Sequence, residues 1–239
     1  EIDNAARIYL SKGLTEANQL NARAVIIHMN TYGGLLEAAD SMRTAILYSK
    51  VPVHVFIDNN AASAGALISI ACKKIYMRKG ANIGAATVVN QTGEAMPDKS
   101  YMRSMIRSTA EAHGKDTIVQ GNDTIYKWKR DPRIAEAMVD DRIAIPNLID
   151  SGKVLTFTAD EAVTWGYCDG IAESVDEVVT SYLGYKNYEL KTYKPSFADK
   201  IKGFLMNPFI QSLLIMCIIG GIYFEMQSPG IGFPLAAAV

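Results

Sequence analysis

The sequence predicts an α/β fold in which helices pack against a mainly parallel sheet, followed by membrane helices toward the C-terminus. Short apolar runs alternate with longer stretches of helical periodicity over most of the chain. The runs are apolar throughout, which is typical of parallel strands covered on both faces. A long stretch without charged side chains lies near the end of the sequence, and its length indicates a segment within a membrane.

The first half of the sheet is predicted as two consecutive strand–helix units. A buried strand over 24–29 ends in the turn of residues 30–34, which leads into a helix over 35–48 with one apolar stripe. A second strand over 53–57 precedes a helix of small residues over 63–71. Each unit therefore places a helix N-terminus at the carboxyl end of a strand.

Later elements are predicted from turn residues and capping signals. In chain order they are a strand over 75–77, a glycine-containing turn over 80–85 and a helix over 101–112. Asp131-Pro132 is typical of a helix start, and residues 158–161 and 174–177 both fit the capping-box pattern.

Composition divides the chain into three regions. Residues 1–188 carry the alternating pattern, residues 189–203 form a polar and basic linker, and residues 204–239 form a membrane region. Within that region 209–224 holds no charged residue, and a second apolar run follows Glu225. This pattern favours a hairpin of two membrane helices, the alternative being the buried core helix of a soluble protein.

Charge balance and cysteine count argue against several kinds of site. The formal net charge is −1, with 24 basic and 25 acidic residues, so no nucleic-acid-binding surface is predicted. The dense basic run 127–130 is interpreted as a solvated loop, with an RNA or lipid site as the alternative. Cys72, Cys168 and Cys217 are too few and too scattered for a disulfide framework or a zinc site. No metal or organic cofactor is predicted.

A glycine pair ends the first predicted strand. Gly33 and Gly34 allow backbone N–H groups to turn toward a ligand without obstruction by a Cβ. Amides at a helix start suit an oxyanion, because the donors and the helix dipole point the same way. Most glycine pairs are turns without chemistry, so this signal is weak alone.

A serine occupies the equivalent place after the second strand. Ser63 lies among small neighbours in the run 59–65, at a strand-to-helix junction where its hydroxyl would face a cleft. The alternative is that Ser63 is an N-cap, a frequent role for serine. A glycine pair and a serine on consecutive strand–helix units are together a specific indication of nucleophilic catalysis.

Three short runs carry a resemblance to a known family. NTYGG at 30–34, NNAASAG at 59–65 and IGAAT at 83–87 resemble the motifs of the ClpP/crotonase superfamily. Most closely, the chain resembles the long-form NfeD proteins, membrane-bound serine proteases often encoded beside stomatin-like proteins. The resemblance covers nearly the whole sequence and implies a ClpP/crotonase-like fold.

The family implies a site, a substrate class and a location. Ser63 matches the nucleophile of a Ser-Lys dyad, and the amides of Gly34 and Ala64, with Gly33 beside them, match the oxyanion hole. The implied substrates are apolar segments of stomatin- or flotillin-like membrane proteins. The resemblance also implies an integral membrane protein in contact with lipid, a protease domain outside the cytoplasm, and a homo-oligomer, a dimer or higher.

Lys99 is predicted to be the general base. A serine that attacks near neutral pH needs a proton acceptor within hydrogen-bond reach. His28 and His54 lie in predicted strands and are interpreted as structural, and His113 is interpreted as a helix cap. Lys99 lies just before the helix 101–112, where the family places its lysine. Burial would supply the roughly 4 kcal/mol needed to make it neutral near pH 7, although most lysines are simply exposed.

Two observations leave alternatives open. The spacing between Lys99 and Tyr101 is shorter than in the family pattern, which puts the reach of Lys99 to Ser63 in doubt. Lysines before the membrane region would alone place the globular domain in the cytoplasm, against the family. Other possible functions are an acyl-CoA enzyme on the same fold and a non-catalytic membrane scaffold for a stomatin-like partner.

Overall fold

The computed structural model describes residues 1–89, 96–120 and 123–227. The chain divides into two units, Glu1–Lys191 and Thr192–Val239, which are described separately below. The first unit holds alternating strands and helices, and the second holds two consecutive helices.

The strands and helices predicted for the first unit are present in the predicted order, but helix Asn4–Gln19 and several short strands were not predicted. Its helices are α1 (Asn4–Gln19), α2 (Leu36–Leu47), α3 (Ala64–Ala71), α4 (Ser100–Glu111), α5 (Pro132–Ala137), α6 (Ala159–Thr164) and α7 (Val175–Glu177). Its strands are β1 (Val25–Thr31), β2 (Val53–Ala62), β3 (Lys74–Met77), β4 (Asn82–Gly84), β5 (Lys115–Gln120), β6 (Asp123–Trp128), β7 (Thr156–Thr158) and β8 (Gly170–Ile171). A π-helical segment, Val178–Tyr182, continues from α7.

A long central strand organises the main sheet. β2 pairs in parallel with β1 on one side and, on the other, with β3 through residues 54–57 and then with β4 through residues 60–62. β8 extends the sheet in parallel beyond β3, and β7 is the antiparallel neighbour of β4. The predicted mainly parallel sheet with flanking helices is confirmed. β2 is longer than β3, so its carboxyl end extends beyond β3 and pairs with β4 instead.

The helix after β2 lies at the centre of the core. Every residue of α3 is buried, and this helix packs against both α2 and α4. Its sequence of small and aliphatic residues explains this, since a helix that is apolar all round is stable only when covered on all sides. The N-terminus of α3 is therefore held firmly at the end of β2.

Two basic side chains, a buried arginine and a half-buried histidine, cap the other end of α3, and both differ from their predicted roles. Arg130 is 4% exposed, and its Nη1 donates to the carbonyl oxygens of Ile70 and Cys72, both at 2.7 Å. The ring of His113 also bonds to the oxygen of Ile70, at 2.7 Å, so it caps α3 instead of its own helix. A positive group at a helix C-terminus satisfies carbonyls that have no partner within the helix.

Other predictions needed correction. The basic run 127–130 is not a solvated loop, because its first half belongs to β6 and its last residue is buried. The antiparallel β5–β6 hairpin was not predicted, since its exposed strands lack a buried face to create an apolar pattern. The predicted turn over 80–85 contains β4.

The helix-start signals are largely confirmed. Asp131 caps α5, with proline at the first helical position, and Thr158 with Glu161 forms a complete capping box. Ser174 caps α7 through its side chain. Its predicted partner Glu177 instead accepts from the backbone N–H of Glu173, so this box is incomplete.

The second unit contains α8 (Phe197–Leu205) and α9 (Pro208–Gln227). α8 begins inside the stretch predicted as a linker. No single helix among the described residues is long and apolar enough to cross a membrane, but the pair Phe197–Leu205 and Phe209–Phe224, bent by 68°, meets these criteria together. The second membrane helix predicted after Glu225 falls on residues outside the described part of the chain.

The buried His54 and the half-buried His113 are expected to make the free energy of unfolding depend on pH. Burial, reinforced by nearby cations, lowers the pKa of His54 and of His113 to about 4. An unfolded histidine titrates near 6.5, so between about pH 6.5 and 4 the unfolded chain binds more protons than the folded one. The free energy of unfolding should therefore fall as the pH drops through this window, by on the order of 1–2 kcal/mol per histidine after allowance for solvent screening.

Urea unfolding of the full chain in detergent, followed by tryptophan fluorescence at about pH 7.5 and 4.5, measures this loss. His113→Gln keeps a hydrogen-bond donor for the Ile70 oxygen but does not titrate. We expect this variant to lose less stability on acidification than the wild type. An equal loss in both proteins would contradict the assignment.

Candidate active site

The backbone of Ser63 is strained. Ser63 joins β2 to α3 with φ 54° and ψ −119°, a conformation that non-glycine residues rarely adopt and that costs on the order of 1–3 kcal/mol. Its side chain makes no capping bond to α3, so the structure does not support the alternative role as an N-cap. The residue is half-buried, and its hydroxyl bonds to none of the described residues.

Hydrogen bonds hold Ser63 in this conformation from both sides. Its N–H donates to the carbonyl oxygen of Gly84 at 3.0 Å, and its carbonyl accepts from the N–H of Ala66 at 3.0 Å. Gly84 has φ +139°, and a Cβ there would lie 2.8 Å from the Cα of Thr156. The glycine therefore allows β7 to approach β4 closely, which keeps the acceptor for Ser63 in place.

Gly33 lies directly against the serine side chain. A Cβ at this position would lie 2.7 Å from the Cβ and 3.0 Å from the Oγ of Ser63, and φ is +123°. The N–H of Gly33 donates to the hydroxyl oxygen of Thr31 at 3.1 Å. Gly33 thus makes room for the hydroxyl, while its own amide already has a partner.

Two other backbone amides near the serine are unpaired. In the described part of the chain, the N–H groups of Gly34 and Ala64 donate to no backbone or side-chain oxygen. Gly34 is held by the backbone of Ile2, whose N–H donates to the Gly33 oxygen at 2.9 Å and whose oxygen accepts from Leu35 at 2.7 Å. A side chain at Gly34 would collide with that backbone. The geometry therefore leaves Gly34 and Ala64, and not Gly33, as amides available to an oxyanion.

Lys99 is buried but is bonded to a carboxylate. It lies immediately before α4 and is 8% exposed, so the alternative of an exposed surface lysine is wrong. Its Nζ donates to Oδ1 of Asp141 at 2.6 Å. No hydrogen bond joins Lys99 to Ser63 among the described residues, so the two predicted dyad members are not joined in this structure.

The adjacent carboxylates, Asp140 and Asp141, have separate cations. Asp140 is fully buried and accepts from Arg142 at 2.7 and 2.8 Å and from Arg103 at 2.9 Å. The Arg142 hydrogen bonds hold the pKa of Asp140 well below its usual range. The pKa of Asp141 is lowered chiefly by its hydrogen bond from Lys99. Arginine therefore neutralises Asp140, which leaves Asp141 as the carboxylate that holds Lys99.

The three histidines lie in β1, in β2 and just after α4. His28 Nε2 lies 3.3 Å from Oδ2 of Asp58, and His113 bonds to the end of α3. His54 is buried within β2, and its Nδ1 has no hydrogen-bond partner among the described residues. Among described residues, none of these rings hydrogen-bonds to Ser63.

Several residues of the site were not found from the sequence. Asp141 and Gly84 act through contacts with residues distant in the chain, for which a single sequence carries no periodic signal, whereas Thr31 accepts a hydrogen bond from Gly33, only two residues away. Gly84 lies in the run 83–87, which was noted only as a family motif. Asp141 in the run Asp140-Asp141-Arg142 resembles any exposed acidic pair.

Removal of the Lys99 side chain should change the titration of its partner, Asp141. In Lys99→Ala the carboxyl of Asp141 loses its chief hydrogen-bond donor, so we expect its pKa to rise toward the ordinary aspartate value. Carbon-detected NMR titration of labelled aspartate carboxyls in the full chain measures this. Lys153→Ala, which removes the partner of Asp150 instead, should leave Asp141 unchanged. An Asp141 titration that is the same with and without Lys99 would show that the ion pair does not form in solution.

Sequence comparison places the chain near two curated proteins. It is 33% identical over 239 residues to the membrane protein NfeD1b of Bacillus subtilis, which covers all of this chain and 52% of that protein. It is 27% identical over 242 residues to the membrane-bound protease PH1510 of Pyrococcus horikoshii, which covers 91% of this chain and 49% of that protein. The chain thus spans about half the length of the curated relatives it matches.

Solved structures give a matching fold. A lysine-to-alanine mutant of the 1510-N membrane-bound stomatin-specific protease, in complex with a substrate peptide, superposes with a TM-score of 0.66 at 25% identity, over 86% of this chain and 93% of that one. ClpP1 from Listeria monocytogenes has a TM-score of 0.50 at 17% identity, over 74% and 89% of the two chains. The latter likeness shows a shared fold alone.

The family resemblance inferred from the three short runs is confirmed by these comparisons. The model of the NfeD1b N-terminal domain matches residues 1–193, which is the whole of the first unit. The chain therefore belongs to the NfeD1b family and carries its N-terminal domain.

Proposed function

We propose that this chain is the catalytic part of a membrane-anchored serine endopeptidase that uses a Ser-Lys dyad and a backbone oxyanion hole. The observation that carries the proposal is the strained conformation of Ser63, whose hydroxyl lies against Gly33. Within the described part of the chain that hydroxyl makes no hydrogen bond, and the neighbouring amides of Gly34 and Ala64 are unpaired. Strain of this kind persists only where the surrounding structure enforces it, and it is concentrated at functional sites. The relative named as a protease supports the same activity.

In the proposed reaction the Ser63 oxygen attacks the carbonyl carbon of a peptide bond while neutral Lys99 takes the hydroxyl proton. The amides of Gly34 and Ala64 donate to the oxyanion, which is worth about 3–4 kcal/mol per donor in other enzymes. The Lys99 ammonium then protonates the leaving amine as the C–N bond breaks. Water, deprotonated by the same amine, releases the acyl group and restores the Ser63 hydroxyl.

This mechanism requires Lys99 to change partner. In the resting arrangement Nζ donates to Asp141 at 2.6 Å, so the ammonium must pass one proton to solvent water and turn toward the Ser63 oxygen before it can act as a base. A substrate segment bound over the site would exclude water from Lys99, which favours the neutral amine. The Asp141 side chain is 42% exposed, so water can solvate its carboxylate when the contact breaks.

The substrate proposed is an apolar segment of a stomatin- or flotillin-like membrane protein. One relative is named as stomatin-specific and was solved with a substrate peptide. In this chain Tyr32 and Leu35, which flank the glycine pair, are 81% and 49% exposed. Apolar side chains at the rim of the site would contact an apolar substrate and remove its surface from water.

The proposal extends to organisation in the membrane. Residues 1–188 form the protease domain, 189–203 the connection, and 204–239 the anchor in contact with lipid. The bent pair of helices and the relatives named as membrane proteins support the anchor. An extracytoplasmic protease domain and a homo-oligomer complete the proposal, the latter supported by the ClpP-like fold.

Reaction of the full chain with a fluorophosphonate probe tests the nucleophile and the base. Ser63→Ala should abolish labelling, because no oxygen remains to attack phosphorus, and should reduce cleavage of an apolar peptide by at least 10³-fold, a loss on the order of that seen for other serine nucleophiles. Lys99→Ala should lower both rates roughly 10²–10⁴-fold, the usual contribution of a general base. Ser151→Ala and Lys153→Ala are surface controls and should behave as wild type.

Labelling that survives in Ser63→Ala would rule out the assigned nucleophile. Full labelling of Lys99→Ala would support Ser63 as the nucleophile but would contradict the assignment of Lys99 as the base. A folded wild type that neither labels nor cleaves would favour the non-catalytic scaffold.

Two glycine variants separate the steric role of Gly33 from general backbone strain. Gly33 and Gly80 both have positive φ, but a Cβ at Gly80 meets nothing within 4 Å, whereas one at Gly33 contacts Ser63. Both alanine variants should lose stability, Gly80→Ala by about 1 kcal/mol and Gly33→Ala by more, because its methyl group also collides with Ser63. Only Gly33→Ala should lose fluorophosphonate labelling, because only its methyl group displaces the hydroxyl. Equal labelling rates in the two folded variants would show that the close contact does not position Ser63.

A further inference from the structure

Helix α8 presents a continuous apolar face that is exposed. Phe197, Ile201, Phe204 and Leu205 are 78%, 44%, 60% and 45% exposed. Their spacing along the chain places all four on one side of an α-helix. A helix of 9 residues is marginal in water and gains most of its stability from burial of such a face. The exposed face therefore indicates an apolar surface that covers it.

The polar side of α8 and the segment before it are suited to an anionic surface. Lys202 is exposed on the flank of the apolar face, and Lys194 is exposed upstream. The acid of the helix, Asp199, is engaged with Ser196 in a capping box at the N-terminus, where the helix dipole favours it. Lysines outnumber acids between residues 189 and 205, so the segment carries net positive charge.

The connection to α9 distinguishes an interfacial helix from a spanning one. α9 is mostly apolar and has no separate polar face, and most of its described side chains are exposed, whereas α8 is apolar on one side. The two helices are bent by 68° relative to each other. A helix that lies along a membrane surface and continues into one that enters the membrane needs a sharp bend of this kind.

We propose that α8 is an amphipathic helix that lies in the plane of an anionic lipid surface. Phe197, Ile201, Phe204 and Leu205 insert among the outer parts of the acyl chains, and Lys194 and Lys202 contact lipid phosphates. The inference rests on the membrane anchor proposed above. In this proposal the first residue in contact with the membrane is 197 instead of 204. The first membrane segment is then a helix on the surface and not one that spans the bilayer.

Depth measurements on the full chain in lipid vesicles test the proposal. Single cysteines labelled with NBD are placed at Phe204 on the apolar face and at Gly203 on the polar face, each in a Cys217→Ser background. A label on the native Cys217 reports α9, and Tyr48→Cys in the same serine background, at a position 83% exposed in the first unit, gives the aqueous reference. Quenching by iodide reports water, and quenching by shallow or deep spin-labelled lipids reports depth.

In vesicles of phosphatidylcholine and phosphatidylglycerol, the label at 204 should be quenched several-fold more by the shallow lipid quencher than by the deep one. The label at 203 should be several-fold more accessible to iodide than the label at 204. Lys194→Gln with Lys202→Gln, or vesicles of phosphatidylcholine alone, should weaken the shallow quenching at 204 several-fold.

Iodide access at 204 equal to that at position 48 would overturn the proposal, because α8 would then lie off the membrane. Strongest quenching at both 203 and 204 by the deep quencher would also overturn it, because α8 would then be part of a span. Equal insertion with and without anionic lipid would overturn the preference for an anionic surface. The Cys217 label tests the α9 anchor separately, and none of these readouts depends on reaction at Ser63.

Discussion

The conformation of Ser63 is the constraint on which the candidate site depends. A positive φ at a serine is unfavourable, and here it is held by the bond to Gly84 and by the buried helix that follows. The sheet serves this arrangement, because β2 exchanges β3 for β4 near its carboxyl end and so brings Gly84 alongside. The missing side chain of Gly33 leaves the space that the hydroxyl occupies. The free-energy cost of the strained Ser63 backbone is offset by the burial of α3, every residue of which is buried.

The charged groups near the site are paired so that, before substrate binds, Lys99 is bonded to Asp141. Arg103 and Arg142 satisfy the buried Asp140, and Lys99 satisfies Asp141. A buried ammonium without a counter-charge would be unstable, so the Asp141 contact lets the lysine remain in a largely apolar position before substrate arrives. The same contact holds Nζ as a donor to the carboxylate, so it does not accept from the Ser63 hydroxyl. The proposed activity therefore includes a movement of one side chain between a carboxylate and a hydroxyl.

Much of the fold follows from local sequence signals, whereas the details of the site do not. β1, β2, α2 and α3 are marked by apolar runs and periodicity, which neighbouring residues determine. β4 has only three residues, and it exists because β2 and β7 supply partners on both sides. The pairings of Lys99 with Asp141 and of Arg130 with α3 join residues 42 or more positions apart, so no local pattern predicts them. Ser63 and the glycine pair were recognisable because they follow consecutive strands, although only coordinates show which amides are unpaired.

The central claim is that Lys99 leaves Asp141 and reaches the Ser63 oxygen when the site is occupied. A crystal structure of the full chain with a peptidyl phosphonate bound covalently to Ser63 tests it most directly. The account predicts Lys99 Nζ within about 3 Å of the serine oxygen, with the phosphonyl oxygen bonded to the amides of Gly34 and Ala64. An adduct in which Nζ still donates to Asp141, with the phosphonyl oxygen away from both amides, would contradict it.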